Sequence, residues 1–187
     1  MSQKVKPLMA LILIVLGVIG RFTFIEYVGI PNFEIVTTIA IIAGIYLGGM
    51  YIAIIPLSVI FVSDLIIGNN FILLFTWSAF IFISFVGYLF RNKIRKNIII
   101  GSISVSLISS IFFYLYTNFG WWLMSGMYEY SLSGLLRCYY MAIPFFRNSL
   151  IGNLILVPMG VYSFSKMLVF LKNKYFVIEK YYCKNSK

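Results

Sequence analysis

Long apolar runs, interrupted by short polar or glycine-containing breaks, set the pattern of this chain. A helix that crosses a bilayer needs roughly 20 mostly apolar residues. The runs predict six spans, at 7–24, 35–50, 51–67, 71–90, 98–117 and 149–170. The second and third are short and are divided only by Gly48-Gly49. Between the fifth and sixth lies a stretch of another kind, 118–147, rich in aromatic and hydrogen-bonding residues. Asn118-Phe119-Gly120 is expected to break the fifth span. Ser131 or Ser133 is placed to cap a short helix in which Leu132, Leu135, Leu136, Tyr139 and Tyr140 share a face. Pro144 is expected to end or kink it. The fold class is therefore all-α, a polytopic membrane protein with one transmembrane domain over 1–187 and an outer amphipathic helix or lid.

Composition agrees. Of 187 residues, 61% are hydrophobic and 11% charged, too apolar a mixture for a soluble domain. The charges are unevenly spread. Lys4, Lys6, Arg91, Lys93, Arg95, Lys96 and the six lysines from Lys166 to Lys187 account for twelve of the 15 basic residues, and six spans put them all on one side. Basic loops face the cytoplasm, so both termini are expected there, in the cell membrane. Four of the five acids, Glu26, Glu34, Asp64 and Glu129, fall on the other side or toward it. The net charge of +10 thus reads as a topology signal, with no nucleic-acid partner implied. The basic, aromatic tail 171–187 is expected to extend the last helix or lie on anionic lipid. Lys4 and Lys6 before an apolar core resemble the start of a signal peptide, but no small-x-small site follows, so the segment reads as a retained span.

Several chemistries are excluded. The chain has no histidine, one aspartate and two cysteines, Cys138 and Cys183, on opposite sides of the membrane. This removes histidine-based metalloprotease and serine-protease sites, a two-aspartate protease and a zinc site. No P-loop is present. We expect no enzyme activity, no metal and no cofactor.

Ala40, Gly44 and Gly48 recur every four residues, a spacing that lets helix backbones approach closely, either within the chain or against a partner. Asn32 stands where it can cap the second span, with Glu34 at that helix's positive end. Asp64 sits about one turn inside a span, where a carboxylate needs a cation. Arg147 is the expected partner and Arg21 the other choice. Asn118, Trp122, Arg137, Arg147 and Asn148 are expected to line one mouth of the bundle. The serines of the fifth span read as packing.

Pro31-Asn32-Phe33-Glu34, Ser63-Asp64-Leu65, Thr117-Asn118-Phe119-Gly120-x-Trp122-Leu123, Met127-Tyr128, Gly134-Leu135-Leu136-x-Cys138-Tyr139 and Pro144-Phe145-Phe146-Arg147-Asn148 together resemble an uncharacterised family of small integral membrane proteins. That family looks like a distant relative of the substrate-binding (S) components of energy-coupling factor vitamin transporters. The resemblance covers roughly positions 31 to 160. It implies a six-helix S-component-like bundle with a ligand pocket near the outer face. It also implies partners, namely a transmembrane scaffold and two ATPases. Carried over by motif, Asn32, Asp64, Asn118, Trp122, Arg147 and Asn148 become pocket residues. Asn153 stands where that family usually has an acid, and Ala10 is followed by Ile14 where an Ala-x-x-x-Ala face is usual.

The expected function is that of a membrane-embedded substrate-binding subunit for uptake of a small, vitamin-like, aromatic or anionic nutrient. Arg137 and Arg147 would orient it, Trp121, Trp122 and Tyr128 would stack on it, and Asn118, Asn148 and Asn153 would complete the site. The rival expectations are a structural or assembly subunit of a larger membrane complex and a solitary transporter.

Overall fold

A computed structural model describes residues 5–33, 35–68 and 71–185, with the side chains of Val28 and of 173–185 outside that description. Glu34, Lys4 and the side chain of Cys183 therefore lie outside the described residues. All regular structure among the described residues is helical. Six helices follow in order: α1 (Lys6–Thr23), α2 (Val36–Ile42), α3 (Tyr51–Ile67), α4 (Leu73–Lys96), α5 (Ile98–Met124) and α6 (Leu132–Asn185). A π-helical turn extends α1 over Phe24–Val28 and ends at Gly29 in the left-handed conformation. A second extends α2 over Ala43–Leu47.

Four helical stretches are long and apolar enough to cross a membrane: Lys6–Tyr27, Leu73–Lys96, Ile98–Met124 and Leu132–Lys172. Val36–Leu47 and Tyr51–Ile67 are apolar but shorter. The six predicted spans thus resolve into four long helices and two short ones. Side-chain placement departs from that of a protein folded in water, although the core itself is apolar. Ser63, Ser84, Ser102 and Ser106 are fully buried, while Leu65 and Ile66 are each 70% exposed. Contiguous exposed apolar surface on this scale fits a hydrocarbon surrounding.

At the centre lies α2. Every residue from Val36 to Ile45 is buried. It crosses α4 at Gly44, where a Cβ would collide with the carbonyl oxygen of Ser84. On the facing side, a Cβ on Gly87 would lie 2.8 Å from the carbonyl oxygen of Ile41. Gly44 and Gly48 of the Ala40-Gly44-Gly48 stripe therefore pack against α4 of the same chain, and Ala40 is buried with them. The Gly48-Gly49 turn follows, with φ of +64° and +59° that side chains bearing a Cβ adopt only with strain. Cations hold this end of α2. Lys6 Nζ donates to the Leu47 carbonyl at 2.9 Å and Arg95 Nη2 to that of Ile45 at 3.1 Å. Basic side chains at a helix C-terminus satisfy carbonyls that lack intrahelical donors. Lys6, the end of α2, the end of α4 and the start of α5 consequently share one basic end of the bundle.

Two expected breaks are absent. α5 runs through Asn118-Phe119-Gly120 to Met124. The glycine is there for packing, because a Cβ on Gly120 would collide with the ring of Phe75. Asn118 stays within the helix by donating from Nδ2 to the Tyr114 carbonyl at 2.8 Å. Likewise Pro144 does not end its helix. The outer helix and the sixth span form one element, α6, with Pro144 and Pro158 inside it. Prolines are tolerated within apolar helices where neighbours and local adjustments satisfy the freed carbonyls. Ser131 does cap the start of α6, with its Oγ accepting from Gly134 N at 3.1 Å. Asn32 does not cap α2. It adopts φ +59°, and the residue preceding α2 is Ile35, which makes no side-chain cap bond.

Because the Gly44 contact is with backbone, it cannot relax by a rotamer change. Gly44→Ala should destabilise the protein by about 1–3 kcal/mol, as overpacking does, read as a lower midpoint in thermal unfolding in detergent.

Candidate functional site

At the end of the bundle opposite Lys6 and Arg95 lies a cavity of about 550 Å³. Its walls come from α1 (Arg21), the α1–α2 loop (Asn32), α3, α4, α5 and α6, and no residue of α2 lines it. On α5 the lining positions are Ser110, Phe113, Tyr114, Thr117, Asn118 and Trp121. Their spacing is that of one helix face. Ile72, Thr76 and Phe80 do the same on α4, and Phe145, Phe146 and Ser149 on α6. The rings are braced from behind or beside: Trp121 by Phe71 at 5.1 Å, Phe113 by Phe80 at 5.0 Å, and Tyr114 by Phe146 at 4.6 Å between centroids. An apolar hollow with a few placed polar groups, in this size range, is the usual form of a small-molecule site.

The cavity contains a buried ion pair. Arg21 Nη1 donates to Asp64 Oδ1 at 2.7 Å and to Ser63 Oγ at 2.6 Å. Their side chains are 18% and 8% exposed. Trp77 Nε1 donates to the other carboxylate oxygen at 3.1 Å. This corrects the expected pairing of Asp64 with Arg147. α1 and α3 are neighbours in the bundle, and Arg21 and Asp64 both stand in their last turns, whereas Arg147 is exposed on α6. The triad joins α1, α3 and α4 at the cavity wall.

The other expected site residues divide. Asn32, Asp64, Asn118 and Trp121 line the cavity together. Trp122 faces elsewhere: its Nε1 donates to the Glu129 carbonyl at 2.9 Å, and its ring meets Tyr130 edge-on. Tyr128 is half-buried in the turn between α5 and α6, while Arg137 and Arg147 are exposed, and none of the three lines the cavity. Asn148 acts on the loop, donating from Nδ2 to the Pro31 carbonyl at 3.2 Å. Asn153 is buried between helices, where it donates to Ser110 Oγ at 2.9 Å and to Ser149 Oγ at 3.4 Å. Its carbonyl accepts from Ser106 Oγ at 3.1 Å. It fastens α6 to α5 directly behind two cavity serines. Cys138 is buried, with Sγ 3.5 Å from the Asn118 carbonyl.

Sequence reasoning missed Thr76, Tyr114, Phe113, Phe80 and the two serines as lining residues. The three-and-four spacing from Ser110 to Trp121 was the available signal. It was cut in two by reading Asn118-Phe119-Gly120 as a break. Among the described residues there is no cluster of three or more His, Cys, Asp or Glu to hold a metal.

Removing one member of a buried pair strands the other, at about 3–5 kcal/mol, whereas an apolar replacement of both is often neutral. Arg21→Met and Asp64→Leu should each lower the thermal midpoint strongly, and the double variant should recover most of the loss. Additive losses in that double-mutant cycle would refute the coupling.

No curated protein and no solved structure matches the chain. A family model does match, over residues 1–175, and the chain belongs to that family, DUF6580, a family of unknown function.

Proposed function

We propose that the protein is a membrane-embedded substrate-binding subunit for uptake of a small, vitamin-like nutrient, energised by partner ATPases and a transmembrane scaffold. The observation that carries this reading is the cavity. It is ringed by aromatic side chains, holds a few fixed polar groups, and lies at the end of the bundle opposite Lys6 and Arg95. Basic ends face the cytoplasm. With six crossings, two of them by the short helices α2 and α3, both termini are cytoplasmic and the cavity opens toward the outer face of the cell membrane. The sequence resemblance to substrate-binding components of energy-coupling factor transporters supports the same arrangement. ATP hydrolysis is assigned to partners because the sequence contains no P-loop. The protein itself is not an enzyme on this reading.

The rival reading, an assembly subunit of a larger membrane complex, makes protein contacts of the aromatic segment 118–147 and of the small-residue stripe of α2. That stripe contacts α4 of the same chain, so the binding-subunit reading is preferred.

Native mass spectrometry of protein purified from its own host in mild detergent tests this. A small molecule of defined mass should be retained. Trp121→Ala should lose it while keeping the thermal midpoint within a few degrees, because the ring is half-buried at the cavity wall and lies outside the buried core. An empty protein bound at fixed stoichiometry to membrane subunits other than ATPases and their scaffold would favour assembly instead.

A further inference from the structure

We infer that the cavity selects a flat heteroaromatic compound that brings N–H or O–H donors and bears no negative charge. This rests on the binding-subunit reading above and adds the chemistry of the ligand to it. It also narrows the expectation from the sequence, which allowed an anionic nutrient.

The inference comes from how the lining polar groups are already engaged. Thr117 Oγ1 donates to the Phe113 carbonyl at 2.7 Å, and Thr76 Oγ1 to that of Leu73 at 2.9 Å. Tyr114 donates its phenolic proton to the Tyr139 carbonyl at 2.7 Å. A hydroxyl has one proton, so these three oxygens offer a ligand lone pairs alone. Asn118 is anchored through Nδ2 on the Tyr114 carbonyl, which fixes its amide orientation and leaves Oδ1 as an acceptor with no donor among the described residues. One wall, built from α4 and α5, therefore presents acceptor oxygens. The two serines supply the complement. Ser110 and Ser149 both accept from Asn153 Nδ2, so neither hydroxyl proton is spent on that contact and each can donate to a ring nitrogen or a carbonyl.

Charge points the same way. Arg21 and Asp64 are the charged residues among the described lining, and they neutralise each other at 2.7 Å. An anionic ligand would face acceptor oxygens on one wall. Arg21 Nη1 is already committed to Asp64 and Ser63, so the cation of the described lining enters the site with its charge balanced. Aromatic faces line the same cavity, Phe113 and Trp121 of α5 among them, and favour a flat ring. The volume, about 550 Å³, suits a compound of two or three fused rings.

The test uses the full chain in lipid nanodiscs and matched compounds in equilibrium dialysis: indole-2-carboxamide against indole-2-carboxylate, and quinoxaline-2-carboxamide against quinoxaline-2-carboxylate. Each amide should bind about tenfold tighter than its carboxylate, the factor expected for one lost hydrogen bond to a buried acceptor. Thr117→Val, which keeps the side-chain shape, should shrink that preference, and so should Asn118→Leu. Carboxylates that bind as tightly as the amides, with binding abolished by Trp121→Ala, would overturn the inference and leave the binding-subunit reading standing. No Trp121-dependent binding by any of the four compounds would overturn both.

Discussion

The rest of the structure depends on the length of α2. From Val36 to Leu47 this apolar helix has 12 residues, about 18 Å at 1.5 Å per residue. The hydrocarbon layer of a bilayer is about 30 Å thick. A helix that short fills one half of a bundle and leaves the other half empty of it. Its Gly44 contact presses it against α4 at the basic end, and its last carbonyls are held there by Lys6 and Arg95. The space it does not occupy, at the far end, is walled by the longer helices and by the loop that precedes it. The cavity is thus a consequence of where one buried helix stops.

That hollow brings a second requirement. Five long or moderately long helices around a void need something to hold their far ends in place. The Arg21–Asp64–Trp77 contacts do so for α1, α3 and α4, and deeper in the bundle Asn153 ties α6 to α5 through Ser106 and Ser110. In an apolar medium such contacts have few competitors, although each polar group must find a partner or remain expensive to bury. Arg21, Asp64, Ser110 and Ser149 also line the cavity, so supports of the fold share in setting the electrostatic character of the site. A neutralised ion pair and a set of hydroxyls already donating to carbonyls give a site with little net charge and many exposed lone pairs.

Much of this was legible along the chain. The helical class, the short second and third helices, the Gly48-Gly49 turn, the Ser131 cap and the inward packing of the α5 serines all follow from local pattern. Asn32, Asp64, Asn118 and Trp121 were picked out as site residues and do line the cavity, four of its 18 lining residues. Residues chosen because they were polar and close in sequence, such as Trp122, Arg137 and Arg147, fell on other faces. Polarity along a segment does not say which side of a helix a residue occupies when the helix boundaries are misplaced, and here Gly120 and Pro144 misplaced two of them.

Hydropathy and charge act residue by residue, so the amino-acid order alone specified a bundle of apolar helices with twelve of its 15 basic residues assigned to one end. It also determined that Asp64 required a cation. Only the tertiary structure decided that the cation is Arg21, that Asn153 is a fastening rather than a ligand group, and that Gly120 and Pro144 lie within continuous helices. Those outcomes depend on which helix faces meet. A glycine beneath a neighbouring ring and a glycine that ends a helix read the same in one dimension, and they differ only in what stands opposite.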